Sequence, residues 1–151
     1  MADAISLEGL KKMLLAAVET IKANHEYLSK LDGATGDGDH GVAMLNAMKV
    51  VEKSVNEQTG DDVKAFFKTT GWGIMGIGGG STSTLLGSLV MGMRDGVEEG
   101  TTEFDAKALA AMFEAGLAKV RQQTKAEVGD KTMMDGLIPA VEALRAFADE
   151  G

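Results

Sequence analysis

The sequence contains no cysteine and only one proline, one tryptophan and one tyrosine. Without cysteine the chain forms neither disulfide bonds nor thiolate metal sites, which is typical of a cytoplasmic protein. It also lacks an apolar run long enough to span a bilayer and a basic-then-apolar start typical of a signal peptide. We therefore expect a folded, cytoplasmic protein with no membrane partner.

Basic residues are few relative to acidic ones. The chain has 15 lysines and arginines against 23 aspartates and glutamates, a formal net charge of −8. A general nucleic-acid binder needs a basic face that displaces counterions from phosphates, so we expect no nucleic-acid partner. An anionic ligand would need local help from helix N-termini or from a bound cation.

The hydrophobic pattern predicts helices. Hydrophobic residues make up 44% of the 151 positions, which suits a single domain spanning residues 1–151. Period-two alternation is not sustained anywhere, whereas apolar residues recur at steps of three and four in six segments. The predicted segments begin near Ser6, Gly41, Asp61 or Asp62, Ser81, Asp105, and Asp130 or Thr132. We expect Gly71 and Gly73 to help end the third segment, and Ser81 to cap the fourth. The prediction is an all-α fold of antiparallel helices joined by short loops.

The segment ATGDGDHG, residues 34–41, places acidic residues on a glycine-rich loop between the first two predicted helices. Asp37 and Asp39, with Asp32 just upstream, converge if the loop folds back, and glycine permits the φ angles that this requires. Crowded carboxylates raise one another's pKa unless a cation is present, and oxygen ligands favour magnesium or calcium over zinc. An EF-hand is excluded because the required glycine and glutamate are absent from its sixth and twelfth positions. The alternative is an ordinary polar turn in which Asp39 caps the next helix.

A second unusual segment is GIMGIGGGSTSTLLGS, residues 73–88. Glycines followed by hydroxyl residues at a helix start offer backbone N–H donors and a positive dipole end, which together bind anions. No Gly-Lys-Ser/Thr follows and no strand precedes, which excludes a P-loop and a Rossmann fingerprint. Glycines that merely permit close helix packing are the alternative. Combined with the acidic loop, the segment indicates a site for a nucleotide with bound magnesium.

A third segment, VGDKTMMDG at 128–136, again places Gly-Asp ahead of a helix. Lys131 is suited to a phosphate, and Met133 to an apolar wall for a flat base. On these residues alone we favour a capped helix start with Met133 and Met134 in the core.

Together the three segments resemble the nucleotide-binding L subunit of dihydroxyacetone kinase. The matching stretches are GDGDHG at 36–41, GGGSTSTLLG at 78–87 and GDKTMMDGLIPAVEAL at 129–144. The resemblance implies an antiparallel barrel of helices that binds ADP or ATP at one end with two Mg²⁺ ions. The implied metal ligands are Asp32, Asp37 and Asp39, and the implied nucleotide contacts are His40, Gly41, Ser81, Thr82 and Met133. No catalytic residue is identified.

The resemblance also implies a division of labour between proteins. In this family dihydroxyacetone is held by a separate K subunit or domain, so the chain would supply the phosphoryl group as part of a phosphotransferase. No K-like portion is attached, so we expect the branch in which bound ADP is rephosphorylated by a phosphotransferase-system protein. The ATP-dependent branch is the alternative. The sequence is compatible with a homo-oligomer, and it does not identify the ketose.

Some positions depart from the family pattern. Ala43 stands where the family commonly has a polar residue, often asparagine, and Thr84 where it often has proline. The family pattern also continues beyond Gly151 through further helices with a nucleotide-facing arginine. We therefore expect a barrel without its last helices. The alternative functions are a shortened, non-catalytic relative that binds or regulates a partner, and a helical bundle whose acidic loop is only a turn.

Overall fold

A computed structural model describes residues 4–78 and 80–150 of the chain. The regular structure in these residues is six α-helices and one pair of very short strands, which confirms the all-α prediction. The helices are α1 (Leu7–Asp32), α2 (His40–Glu57), α3 (Val63–Met75), α4 (Ser81–Asp95), α5 (Ala106–Val120) and α6 (Met134–Glu150). The strands, β1 (Ile5–Ser6) and β2 (Glu103–Phe104), pair antiparallel. They were not predicted, because two residues are too few to produce an alternating pattern.

Polar side chains begin three of the helices as predicted. The side chains of Ser6, Asp62 and Asp105 each accept a hydrogen bond from a backbone amide in the first turn of α1, α3 and α5. Such caps satisfy amide groups that have no partner inside the helix. The structure thus selects Asp62 rather than Asp61 as the start of α3.

The glycine-rich stretch ahead of α4 differs from the prediction in two respects. Gly71 and Gly73 do not end α3, which continues past both. The missing side chain at Gly71 lets α3 lie close to α4, since a Cβ there would be 2.9 Å from the backbone nitrogen of Met91. Ser81 is the first helical residue of α4 rather than its cap, and Gly80 occupies the cap position.

Consecutive helices pack against each other in antiparallel pairs. On α3 and α4, Gly71 lies against Met91 while Gly87 lies against Met75, so one helix ascends as the other descends. The same holds for α5 and α6, where the Glu114–Arg145 ion pair lies far along both helices from the short connection between them. The ends of α1, α3 and α5 therefore meet the starts of α2, α4 and α6 at one end of the molecule, which we call the loop end. The β1–β2 pair lies at the opposite end, because these strands precede α1 and α5.

Two groups of buried side chains hold the helices together. The larger core draws on α1 to α5, and its most deeply buried members are Leu7, Val18, Val63, Phe66, Ile74 and Met112. A smaller cluster of Val120, Met134 and Ile138 joins α5 to α6 at the loop end, with Leu85 of α4 packed against it. In the part of the chain that the structure describes, no helix combines the length and hydropathy needed to cross a membrane.

Candidate functional site

The acidic loop joins α1 to α2 at the loop end. Asp32 is the last residue of α1, Asp37 lies in the loop, and Asp39 is the residue before α2. The loop folds back through a hydrogen bond from the Gly36 amide to the Asp32 carbonyl oxygen (2.7 Å) and a positive φ of 77° at Gly38. As a result, one carboxylate oxygen from each aspartate lies within 4.8 Å of the other two.

The described residues leave the charges of this cluster without an ion-pair partner. Among the described residues, none of the salt bridges involves these three aspartates. The negative charge of Asp37 is the main cause that raises the pKa of Asp39 above its ordinary value, with desolvation and the charge of Asp32 adding to it. Nearby His40 opposes the rise. A divalent cation bound to the same oxygens would remove this repulsion.

Asp39 occupies the N-cap position of α2, but its side chain makes no capping hydrogen bond. The alternative in which Asp39 simply caps the helix therefore lacks the bond that defines it. The other two aspartates do accept backbone hydrogen bonds: Asp32 Oδ2 accepts from the His40 amide (3.2 Å), and Asp37 Oδ1 accepts from the Asp39 amide (3.3 Å). Oxygen donors in this arrangement suit a hard divalent ion such as Mg²⁺ or Ca²⁺.

The second loop ends where α4 begins. Its cap residue, Gly80, has no side chain, so no side-chain cap satisfies the first amides of α4. The loop is held in shape by the hydroxyls of Ser83 and Thr84, which both donate to the Gly80 carbonyl oxygen at 3.2 Å. Uncapped amides at the positive end of a helix dipole form an arrangement that attracts anions.

The two loops meet across one cavity of about 470 Å³. His40 Nδ1 lies 3.2 Å from Thr82 Oγ1, which links the start of α2 to the start of α4. The three aspartates line one side of the cavity, and residues 77, 78 and 80–83 line the other. The cavity thus places a set of carboxylate oxygens suited to a cation opposite a helix end suited to an anion, the pairing that a metal-bound phosphate requires.

Some cavity residues were not identified from the sequence. Val42, Asn46 and Ile77 line the cavity, as does Ala43, the residue that departs from the family pattern. The signal was present in the spacing, because positions 39, 42, 43 and 46 share one face of α2. Ile77, in the irregular segment before α4, offers no comparable periodicity.

Two of the predicted nucleotide contacts do not line the cavity. Gly41 is buried where α1 and α2 cross, and a Cβ at this position would collide with the His25 carbonyl oxygen and lie 2.5 Å from Ser29 Oγ. Met133 is exposed just before α6, at the same end of the molecule as the cavity. Their contacts with a nucleotide stay predictions, whereas His40, Ser81 and Thr82 lie at the cavity wall.

The third segment is organised by the side chain of Asp135. Its two oxygens accept hydrogen bonds from the amides of Gly129 (2.7 Å) and Thr132 (2.8 Å). The bond from Thr132, followed by that from Gly129, lowers the pKa of Asp135 below its ordinary value. The Thr132 hydroxyl oxygen in turn accepts a hydrogen bond from the Met134 amide at 3.1 Å. Of the two residues predicted to open this helix, it is therefore Thr132, and not Asp130, whose side chain bonds to the first amide of α6. The sequence predicts that both Met133 and Met134 lie in the core. Met134 is buried, whereas Met133 is exposed.

Comparison with known proteins agrees with the family resemblance. The profile of the DAK2 domain matches residues 34–151. A Listeria innocua protein named "PEP-dependent dihydroxyacetone kinase 1, ADP-binding subunit DhaL" is 36% identical over 83% of this chain and 63% of its own length. The Lactococcus lactis "PTS-dependent dihydroxyacetone kinase, ADP-binding subunit DhaL" is 34% identical over 78% of this chain and 58% of its own. An Escherichia coli ADP-binding subunit named DhaL is 31% identical over 83% and 59%.

The chain thus spans less than two thirds of the length of these curated relatives. The matched region includes the acidic loop, the glycine-serine-threonine loop and the start of α6, which are the segments that carried the resemblance. Because the profile covers well over half of its length, the chain belongs to the DAK2 domain family.

Proposed function

We propose that the chain is the nucleotide-binding subunit of a short-chain ketose kinase of the dihydroxyacetone kinase type. It binds ADP or ATP with Mg²⁺ and passes a phosphoryl group to a ketose held by a separate K-type subunit. One observation carries the proposal: three carboxylates within 4.8 Å of one another face the uncapped start of α4 across a single cavity.

The carboxylates fit magnesium by their chemistry. Asp32, Asp37 and Asp39 offer only oxygen ligands, and the described residues place no lysine or arginine in salt-bridge contact with them. We propose that they hold two Mg²⁺ ions, as the family resemblance implies. When bound, magnesium neutralises charge on phosphate oxygens and orients them.

The other side of the cavity binds and orients the phosphates. The first amides of α4 and the Thr82 hydroxyl offer donors whose positions are set before the ligand arrives. Phosphoryl transfer depends mainly on positioning and on neutralising oxygen charge, so this chain needs no nucleophile–base pair of its own. Val42, Ile77 and Met133 are exposed apolar side chains at this end, and we propose that they contact the base or the partner subunit.

The donor is proposed from the names of the relatives. Three of them are called PEP-dependent or PTS-dependent ADP-binding subunits. We therefore propose that ADP stays bound to this chain and is rephosphorylated by a phosphotransferase-system protein in the cytoplasm. Release of ADP after each turnover, with ATP as the donor, is the alternative.

Calorimetry with ADP tests the nucleotide and metal site. The wild-type chain should bind ADP in the presence of Mg²⁺ and lose most of that affinity in EDTA. Asp37→Asn should weaken binding about tenfold or more, because a charged ligand disappears from the metal site. The matched control is Asp61→Asn, which changes an exposed aspartate at the opposite end of the molecule. Equal affinity of wild type and Asp37→Asn would contradict the proposal.

A non-catalytic role is the second candidate, and Ala43 is the observation that favours it. Ala43 lines the cavity, and the family resemblance implies a polar side chain that contacts the nucleotide at this position. A chain of this kind would form a complex with a K-type subunit without transferring phosphate. Phosphoryl transfer to dihydroxyacetone in the reconstituted mixture would exclude it, and Ala43→Asn should strengthen ADP binding if the missing contact matters.

A further inference from the structure

We infer that His40 is a positioning residue that holds Thr82 Oγ1 so that the Thr82 hydroxyl points its proton toward the bound phosphate. The inference rests on the proposed function, since it concerns the same cavity. It assigns His40 an action through Thr82, rather than only a contact of its own with the nucleotide. The link is the 3.2 Å approach of His40 Nδ1 to Thr82 Oγ1.

His40 is well placed to connect the two halves of the site. It is the first residue of α2, and its backbone amide donates to Asp32 Oδ2, which belongs to the metal-binding set. Its ring reaches Thr82, the second residue of α4, 42 positions further along the chain. Both residues are partly buried and both line the cavity.

The hydroxyl groups of the second loop differ in how their protons are used. Ser83 donates to the carbonyl oxygens of Gly78 and Gly80, and Thr84 donates to that of Gly80. Those protons are committed to holding the loop. Among the described residues, the hydrogen bond of Thr82 is to His40 alone. Thr82 is therefore a hydroxyl of this loop whose proton can be directed at a ligand.

The tautomer of His40 decides the direction of that proton. A hydroxyl has one proton and two lone pairs. If Nδ1 carries a proton, it donates to Thr82 Oγ1 and leaves the Thr82 proton free for a phosphate oxygen. If Nδ1 carries no proton, the Thr82 hydroxyl donates to the ring and turns its lone pairs toward the phosphate. The lone pairs and the negatively charged phosphate oxygens then repel each other. A phosphate in the cavity therefore selects the Nδ1–H form.

This arrangement predicts that the effects of changing the two residues are coupled. We would measure ADP affinity with Mg²⁺ by calorimetry for His40→Phe, Thr82→Val and the double variant. Thr82→Val should weaken binding about tenfold, the factor expected when one hydrogen bond to a charged group is lost. His40→Phe should weaken binding by a smaller factor, because the Thr82 hydroxyl keeps its proton and loses only its fixed direction. The double variant should bind no more weakly than about twice as weakly as Thr82→Val alone, because the effect of His40 is exerted through Thr82.

Conservative variants separate positioning from a general structural role. The side-chain amide nitrogen of an asparagine lies as many bonds from Cβ as Nδ1 does, so His40→Asn should bind within about threefold of wild type. His40→Gln, whose amide lies one bond further out, should resemble His40→Phe. Thr82→Ser keeps the hydroxyl and should retain affinity. His25→Phe, which alters a histidine that contacts the Lys22 carbonyl in α1, serves as the matched control.

Additive losses in the double variant, or failure of His40→Asn and Thr82→Ser to retain affinity, would overturn this inference while leaving the nucleotide site intact. A wild-type chain that binds no ADP with Mg²⁺ would overturn the proposed function and this inference with it. The conservative pair keeps the test decisive even if His40→Phe does not fold.

Discussion

Asp39 shows at the level of one residue why the acidic loop is suited to a cation. The loop brings three carboxylates together, and the charge of Asp37 raises the pKa of Asp39. The ionised form of Asp39 is therefore less favourable in the folded chain than in the unfolded one, where the carboxylates separate. A group that lowers stability without its ligand is more often retained for binding than for folding.

We predict that Asp39→Asn separates stability from binding. In EDTA at neutral pH the variant should melt at a slightly higher temperature than wild type, because one charge leaves the repulsive cluster. With Mg²⁺ the order should reverse, since the variant binds the metal about tenfold or more weakly. Thermal melts of both proteins in EDTA and in Mg²⁺ test this. Asp61→Asn should show neither change, and a wild type stabilised by EDTA rather than by Mg²⁺ would contradict the prediction.

At the scale of elements, the starts of the helices use polar side chains in two different ways. Ser6, Asp62 and Asp105 cap their helices and complete the backbone hydrogen bonding. Asp39 and Gly80, at the starts of α2 and α4, make no side-chain cap bond. Both of these starts line the cavity. The His40 amide of α2 donates to Asp32, whereas the first amides of α4 have no side-chain cap and stay available for a ligand.

The start of α6 gives a prediction with a defined pH dependence. Hydrogen bonds from the Thr132 and Gly129 amides lower the pKa of Asp135, so its charged form stabilises the fold. That contribution is fully present above the ordinary aspartate pKa of about 4 and is lost as the pH falls through the lowered value. Asp135→Ala should therefore melt below wild type at neutral pH, and the difference should shrink in acid.

Hydrogen exchange provides the local measurement for the same variant. The amides of Gly129 and Thr132 should exchange roughly tenfold faster in Asp135→Ala, as expected for the loss of a bond to a charged acceptor. Amides in α1, which lie away from this segment, serve as the internal reference. A difference in melting temperature that grows as the pH falls would contradict the assigned sign.

At the scale of the whole molecule, antiparallel packing of consecutive helices collects the three unusual segments at one end. Each of these segments lies between two consecutive antiparallel helices: the acidic loop between α1 and α2, the glycine-serine-threonine loop between α3 and α4, and the third segment between α5 and α6.

Close packing of α4 and α5 depends on glycine, because a Cβ on Gly92 would lie 2.7 Å from the Ala115 carbonyl oxygen and from the Cα of Gly116. Backbone atoms cannot move aside as a flexible side chain can.

Gly92→Ala should therefore destabilise the chain although alanine favours helices. We expect a loss of about 1–3 kcal/mol in the free energy of unfolding from this overpacking. The matched control is Gly136→Ala in α6, where a Cβ would meet nothing within 4 Å. That change should stabilise the chain by up to about 1 kcal/mol through helix propensity. Urea unfolding measures both, and effects of the same sign would contradict the packing argument.

The sequence by itself determined the helices and the chemistry of the loops. Apolar residues at steps of three and four, with Ser6, Asp62 and Asp105 as caps, are local signals that a helix needs wherever it lies. The crowding of Asp37 and Asp39 on glycine-rich backbone likewise carries its chemistry in the residues themselves. Local signals of this kind are readable without knowing which helix lies beside which.

Only the tertiary structure decided which distant residues share the cavity and which glycines serve packing. Gly71 stays inside α3 because α4 lies against it, and Gly41 is buried at a helix crossing rather than at the cavity wall. Asn46 and Ile77 enter the cavity, and His40 meets Thr82, through the packing of α2, α3 and α4. These relations join positions far apart in the chain, and no local pattern records them, because the contact exists only once the helices have packed.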